Sequence, residues 1–538
     1  FWFVEKLEVD EARLPSVRCE RFERWMDGLD PAGLSLVFPE AYMNNPASMF
    51  GHTLLRVDPG AEGEAKDLLA YAVNFAAEAG NDGGAAFAIK GIFGGYDGLF
   101  SVLPYYEKLK QYGDWENRDI WEYRLNFDED EVRLVLAHVW ELRGIPFQYF
   151  FFDDNCSFQL FALLETVQPE LRLTPKFPLW VIPGDTVRVA AEQEGLITDV
   201  SYRASPATRI RFESRRLSPD DQKLARSIAL GELAPDAPEV AALPPDRRAQ
   251  ALSLGYSFLR FRFLAKRVPR EISAPRSRTI LAELSGIEAA APVPDPPRPA
   301  VGAERGHPIA RFDFGGGVRD EEGFAELRFR PAFHSLTDPV GGYTSGAQIR
   351  IMEAALRWRP AQNDVRFEEW TVLDITSIAP RDRFLKPVSW TTGLGMRTRM
   401  LGHESDDDVD PRSVWYGEAG AGLAYELPGA VLGYGLARAV IEGGKGLDED
   451  YALGPSVEAG LLSSQFDDRQ RTHFYVRVFP VVLGDTTTSA RAAIAQRFSL
   501  SKRSALVLDL GVERGYGEVW MDARISWRTY FRTPWGES

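Results

Sequence analysis

The side chains best suited to nucleophilic chemistry are Cys156 and, far upstream, His52. The cysteine closes the run Phe147-Gln148-Tyr149-Phe150-Phe151-Phe152-Asp153-Asp154-Asn155-Cys156, and the apolar Leu160-Phe161-Ala162-Leu163-Leu164 follows. The aromatic run predicts a buried strand, Asp-Asp-Asn a turn offering N-cap oxygens, and the residues after it recur at helical spacing. Cys156 thus falls at or beside a helix N-terminus. Unpaired backbone N–H groups and the positive dipole end favour thiolate there.

A thiol nucleophile needs a base. Of six histidines only His52 and His138 precede Cys156. His138 sits in Asp128–Leu142, a helical pattern with Val132, Leu136 and Val139 on one face, and reads as a surface residue. His52 stands where a polar loop, Asn44-Asn45-Pro46-Ala47-Ser48-Met49-Phe50-Gly51, gives way to the strand-like Thr53-Leu54-Leu55-Arg56-Val57. A hairpin from this strand to Leu68–Phe75, centred near residue 63, places Asn74 opposite His52, where it would fix the imidazole tautomer. A small slip in register offers Tyr71 instead. Two plain readings compete with catalysis: a thiol that merely fills apolar space, and a disulfide to Cys19. Cys19 has no base near it in sequence and reads as structural.

The elements around these residues are mixed. A helical segment spans Arg18–Asp27, and residues 36–126 read as strand-rich, with strands expected at Ala86–Phe93 and Trp121–Phe127 and a helix-like stretch from Leu103. Gly94-Gly95 is turn punctuation, since no Gly-Lys-Ser/Thr follows it. Ser218-Pro219-Asp220-Asp221 is a helix start, and Asp246–Arg267 is a long helix whose Leu252, Tyr256, Leu259 and Phe263 form a stripe expected to pack within the protein. Ala289–Pro299 reads as an extended linker.

From Ile309 to Phe531 the pattern changes to roughly a dozen segments with two-residue alternation. Val519, Met521, Ala523, Ile525 and Trp527 alternate with Trp520, Asp522, Arg524, Ser526 and Arg528; Phe474, Val476 and Val478 alternate with His473, Tyr475 and Arg477. A soluble β-sandwich also alternates. Long consecutive segments, short connections and a terminal strand ending in Tyr530-Phe531 favour an antiparallel outer-membrane β-barrel of roughly 12 strands, apolar side to lipid and charges to the lumen. The acidic stretch His403–Pro411 would suit an extracellular loop, while Arg366–Ile378 alternates poorly.

The order of a histidine on a strand and a much later Asn-Cys opening a helix resembles the circularly permuted papain-like (NlpC-type) fold of the lecithin:retinol acyltransferase group. More closely, Leu36–Val57, Trp115-Glu116-Asn117-Arg118-Asp119-Ile120-Trp121-Glu122-Tyr123 and Phe151–Glu165 resemble the Lnb N-terminal periplasmic domain family, named for a bacterial lipoprotein N-acyltransferase. The resemblance covers roughly residues 17–185. It implies an α+β papain-like domain with catalytic Cys156 and His52, and less firmly Asn74.

The chain of 538 residues implies several domains. They are expected at 1–204 (Cys-His periplasmic domain), 205–305 (helical connector and linker) and 306–538 (barrel). A net charge of -16 and the absence of a basic stripe argue against a nucleic-acid partner. No initiating Met or leader precedes the first residues, as expected of a mature or trimmed chain. A soluble domain ahead of a barrel would face the periplasm of a bacterial outer membrane. The expected activity is a cysteine acyltransferase or acyl hydrolase on phospholipid or lipoprotein, forming a Cys156 thioester and calling for no cofactor or metal ion. A cysteine peptidase or amidase is the enzymatic alternative, and a barrel-anchored scaffold or transport protein the non-enzymatic one.

Overall fold

The structure is a computed structural model and describes residues 7, 9–10, 18–43, 49–60, 69–80, 82, 84–287, 293–402, 409–447, 449–485 and 487–532. The N-terminal unit is one antiparallel sheet of seven strands in the order β6-β4-β3-β2-β1-β5-β7. These are β1 (Pro31–Pro39), β2 (Leu54–Pro59), β3 (Tyr71–Ala77), β4 (Tyr96–Pro104), β5 (Ile120–Leu125), β6 (Phe147–Tyr149) and β7 (Ile197–Arg203). Helix α1 (Glu20–Leu29) precedes β1, and α2 (Gly84–Ile92) connects β3 to β4. Helix α3 (Tyr105–Leu109), continued by a wider turn to Trp115, follows β4. Then come α4 (Glu129–Glu141), α5 (Cys156–Glu165) and α6 (Pro183–Glu192). Leu36, Val57, Val73 and Tyr123 of the sheet are buried with Val135, Leu160 and Leu164 of α4 and α5 in one core.

Two local expectations change. Ala86–Phe93 is not a strand but lies largely in α2. Its apolar run has no alternating polar partners, Ala is a strong helix former, and Phe87 and Gly91, four apart, both meet Phe151. A Cβ on Gly91 would lie 2.2 Å from that ring, so the helix approaches only because the residue is glycine. The aromatic run holds strand geometry only for Phe147–Tyr149, because the Asn155 amide takes the Phe151 carbonyl and bends the chain.

The connector is helical: α7 (Pro206–Arg215), α8 (Pro219–Leu230), α9 (Pro245–Leu264) and α10 (Arg270–Ser285). Ser205 and Ser218 cap α7 and α8 through the N–H groups of Thr208 and Asp221. Leu252 and Leu259 of the expected stripe are buried, whereas Phe263 is exposed. Phe384 and Leu385 of the barrel share this core, with Phe258 and Phe384 rings 5.1 Å apart. Residues 293–299 of the linker lie against the first domain, where Arg298 covers Trp121.

Twelve strands close the barrel: β8 (Ala310–Arg319), β9 (Glu322–Arg330), β10 (Ala347–Arg359), β11 (Asp364–Ser377), β12 (Ser389–Gly402), β13 (Val409–Leu427), β14 (Val431–Gly443), β15 (Tyr451–Gln465), β16 (Gln470–Pro480), β17 (Thr488–Ser499), β18 (Ser504–Gly515) and β19 (Glu518–Phe531). Each pairs with the next, and β19 returns to β8 with Phe531 opposite Ala310. The irregular segment β11 carries a register shift between Thr371 and Leu373, which is why its alternation fails in sequence. Residues 403–408 lie outside the described residues, while Val409–Pro411 already belong to β13. No helix among the described residues is long and apolar enough to cross a membrane; the barrel crosses by strands. Val519, Met521, Ile525 and Trp527 face outward, and their neighbours Ser526 and Arg528 are buried inside.

The lumen is lined by ion pairs. Arg357 meets Glu326 at 2.7 Å and Asp522 at 2.9 Å; Arg438 and Arg477 meet Glu458 at 2.7 and 2.8 Å. At the end nearest the first domain, the β9–β10 connection folds inward and buries Asp338 completely. Its carboxylate accepts from Arg311 (3.2 Å), Arg330 (2.6 Å), Arg528 (3.0 Å), the Tyr530 hydroxyl (2.9 Å) and the Ser335 N–H (2.8 Å). His307 and His334, whose nitrogens lie 2.9 Å apart, stand beside it. Three guanidiniums already balance this carboxylate, an unfavourable setting for a further cation. Asp338→Ala leaves those guanidiniums buried without their anion and is expected to destabilise the barrel by about 3–5 kcal/mol. The check is the urea midpoint of the heat-modifiable gel shift, expected to fall well below wild type.

Candidate active site

Cys156 is the first residue of α5, and Asn155 is its cap, accepting from the N–H groups of Ser157 (3.0 Å) and Phe158 (3.3 Å). The thiol is 2 % exposed. Thr53 donates its hydroxyl to Sγ at 3.8 Å and shares a 2.9 Å hydrogen bond with Ser157. The Tyr149 phenol stands beside Cys156. Cys156 and Cys19 are both free thiols, Cys19 exposed on the surface, so the alternative disulfide is not formed.

His52 lies just before β2 and is half-buried. Its Nε2 stands 2.9 Å from Asn74 Oδ1. Because that oxygen can only accept, Nε2 carries the proton and Nδ1 is left for the thiol. The hairpin register differs by a step from the expected one: Leu55 is opposite Val73 and Val57 opposite Tyr71. Asn74 is therefore not the cross-strand partner of His52, whose ring reaches it from the loop. Tyr71 is turned into the packing against the core. His138 is on α4 beside Glu141, away from the thiol.

Burial pushes the Cys156 thiol up, but the His52 imidazole, as charge and as hydrogen-bond partner, together with Thr53 backbone and side chain, outweighs it and pulls the thiol down to about 6. The same burial, with the thiolate beside it, holds the Tyr149 phenol well above its ordinary range. The arrangement can hold Cys156 as a thiolate at neutral pH with the His52 ring beside it.

One expectation needs correction at atomic level. Of the N–H groups at the helix start, those of Ser157 and Phe158 are taken by Asn155. The donors left beside Sγ are the Cys156 N–H and the Tyr149 hydroxyl.

Tyr149, Thr53 and Arg118 were not singled out from sequence. Arg118 is buried and donates Nη2 to Pro39 O at 2.6 Å and Nε to Glu40 O at 2.5 Å. Pro39 O in turn accepts the His52 N–H at 3.4 Å. The Arg118 guanidinium also lies 4.9 Å from the centre of the Tyr112 ring, which has the His52 ring 5.8 Å away as a further neighbour. The pattern Asn117-Arg118-Asp119 was the available signal, and Asp119 next to it accepts from Tyr202, Ser205 and Thr208 to hold α7 to the sheet.

Architecture and site together define a protein of the outer membrane, with an α+β domain on the periplasmic side of a twelve-stranded barrel. Residues 21–193 match the family described as the Lnb N-terminal periplasmic domain. Residues 200–296 and 300–530 match two families described as domains of unknown function, DUF7842 and DUF7840. No curated protein matches the chain. Solved structures similar to the barrel region include a KdgM porin in complex with disordered oligogalacturonate, at 7% identity, 41% of this chain, 99% of that chain and a TM-score of 0.25. An anion-selective porin from Comamonas acidovorans is similar at 10% identity, 41% of this chain, 98% of that chain and a TM-score of 0.21.

In a Cys19→Ser background, the rate of Cys156 alkylation by iodoacetamide should rise with pH to a half-maximum near 6. Below that pH the thiol holds its proton and the rate falls. His52→Ala removes the imidazolium and should move the midpoint up by about 2 units or more, towards the range of an ordinary or buried thiol.

Proposed function

We propose that the N-terminal domain is a cysteine acyltransferase or acyl hydrolase acting on lipid or lipoprotein acyl groups through a thioester at Cys156. The observation that carries this reading is the Cys156, His52 and Asn74 assembly, its thiol at a helix start and drawn down to about 6, in a domain tied to an outer-membrane barrel. The Cys156 thiolate attacks an ester carbonyl, forming the C–S bond while the carbonyl electrons move to oxygen. The Cys156 N–H and Tyr149 O–H receive that oxyanion. Collapse breaks the ester C–O bond, and the His52 imidazolium protonates the departing alcohol. An amine or water then attacks the thioester, His52 Nδ1 takes its proton, and the thiolate leaves. With an amine the outcome is lipoprotein N-acylation; with water it is lipolysis. Asn74 keeps the imidazole in the tautomer that both proton transfers need.

Intact mass spectrometry of purified protein in detergent with phospholipid and a diacylated lipopeptide tests this. A fatty-acyl adduct is expected on wild type and not on Cys156→Ala, and N-acylated lipopeptide would name the acceptor. A reactive but unacylated Cys156 would overturn the reading in favour of a peptidase. No adduct with a thiol that resists alkylation would overturn it in favour of a scaffold. Tyr149→Phe is expected to lower turnover about 10²-fold while leaving acyl-donor binding intact.

A further inference from the structure

The register of three barrel strands shows what the first domain rests on. Arg350 of β10 stands opposite Asp374 of β11, and the two pair at 2.5 Å in the lumen. Asp374 is in turn opposite Gly393 of β12, where a Cβ would meet the lumenal side chains of Glu418 and Tyr416. Successive side chains of a strand point to opposite faces, so the neighbours Ile349, Ile351, Leu373, Ile375 and Leu394 are on the outward, lipid-facing side. They form two rungs. Ile349 is opposite Ile375, and one step further from the periplasmic end Ile351 is opposite Leu373, itself opposite Leu394.

The lower rung is covered and the upper one is not. Ile349 and Ile375 are 1% and 5% exposed, whereas Leu394 is 51% exposed. The cover is the first domain: Met43, Met49, Phe50 and Ile182 share one buried cluster with Ile349 and Ile375, and Phe152, Trp180 and Leu373, partly buried, pack against it. The domain is therefore seated on the outer wall of the barrel, and its margin there is a seam that borders lipid.

This seam leads to the reacting groups. Phe50 is two residues before His52 and meets Phe152, four before Cys156, at 5.3 Å. Val181, which follows Trp180, donates its N–H to Phe152 O and accepts from Asn155 Nδ2, both at 2.8 Å. Trp180 is thus fixed to the turn that carries the nucleophile. A partly buried indole beside a lipid-facing wall suits the level where headgroups meet acyl chains. Lys386, exposed on the periplasmic connection just ahead of β12, adds a cation at that end of the wall, as suits a lipid phosphate.

We propose that a phospholipid of the periplasmic leaflet binds in this seam, its chains on Ile351, Leu373 and Leu394 and its glycerol esters beside Trp180, and that the acyl ester reaches Cys156 sideways along the barrel wall. The seam rests on strand register and on the buried cluster; the use of its lipid as acyl donor rests on the acyl-transfer reading.

The test uses the full chain in nanodiscs of phosphatidylethanolamine and phosphatidylglycerol, with p-benzoyl-phenylalanine in place of Trp180, of Leu394 on the wall, or of the exposed Arg133. Irradiation is expected to add the mass of one phospholipid at positions 180 and 394 and none at 133. An adduct at 394 without one at 180 would overturn the proposal, as would adducts at all three positions. None of these outcomes depends on turnover. The variant Trp180→Ser is expected to lose about ten-fold of its acylation rate from bilayer phospholipid while its iodoacetamide rate at Cys156 is retained. Equal acylation rates in variant and wild type would overturn donor delivery, and so would a fall in both rates, which would make Trp180 a support of the site alone. A lipid crosslink at 180 without acylation in wild type would retain the lipid site and reject the acyl-transfer reading.

Discussion

One buried amide side chain holds the site together. Asn155 accepts the Ser157 and Phe158 N–H groups with Oδ1 and donates Nδ2 to Phe151 O at 3.1 Å and Val181 O at 2.8 Å. The aromatic turn, the cysteine helix and the segment leading to α6 are joined through this single group. Aspartate would cap the helix equally well but has no N–H for the two carbonyls, which would then be buried without donors. The cap also determines which donors face the sulfur. By occupying two N–H groups of the helix start it leaves the backbone N–H of Cys156 and the Tyr149 hydroxyl as the donors beside the sulfur.

A thiol excluded from solvent should hold its proton, since burial penalises the anion. Here the opposing contributions prevail because they are local and several: the imidazole, as charge and as hydrogen-bond partner, and the hydroxyl and backbone of Thr53. The same exclusion of water strengthens each of these interactions. Burial and activation are therefore parts of one arrangement, in which a dry pocket raises the value of every fixed dipole aimed at the sulfur.

Much of this was legible before the structure. The lumen and lipid faces of β16 and β19 followed from two-residue alternation, and the cysteine helix from Asp-Asp-Asn followed by helical spacing. The partners His52 and Asn74 were found, but the register between β2 and β3 was not, because the polar stretch between them, with Gly60 and Gly63, is long enough to admit more than one register. Tyr149 and Arg118 escaped notice because their roles depend on non-local contacts: Tyr149 looked like one more aromatic of a core strand, and Arg118 acts on the carbonyls of Pro39 and Glu40, distant in sequence. Ala86–Phe93 was misread because a short apolar run suits strand and helix alike, and Phe151 decides between them.

The contacts of Phe50 bear on how far the two halves are independent. Phe50 precedes His52 by two residues and Phe152 precedes Cys156 by four, and the two rings are 5.3 Å apart. The segments carrying His52 and Cys156 are therefore pinned to each other through this aromatic pair. This aromatic pair rests on Phe333 and is buried with Met43, Met49, Ile182 and Ile349. Two of those residues, Phe333 and Ile349, belong to the barrel. Separating the domains would expose this cluster to water and release the restraint between the His52 and Cys156 segments together. A reacting pair tolerates displacements of only about 1 Å, so on the acyl-transfer reading the barrel supports the site as well as attaching it to the membrane.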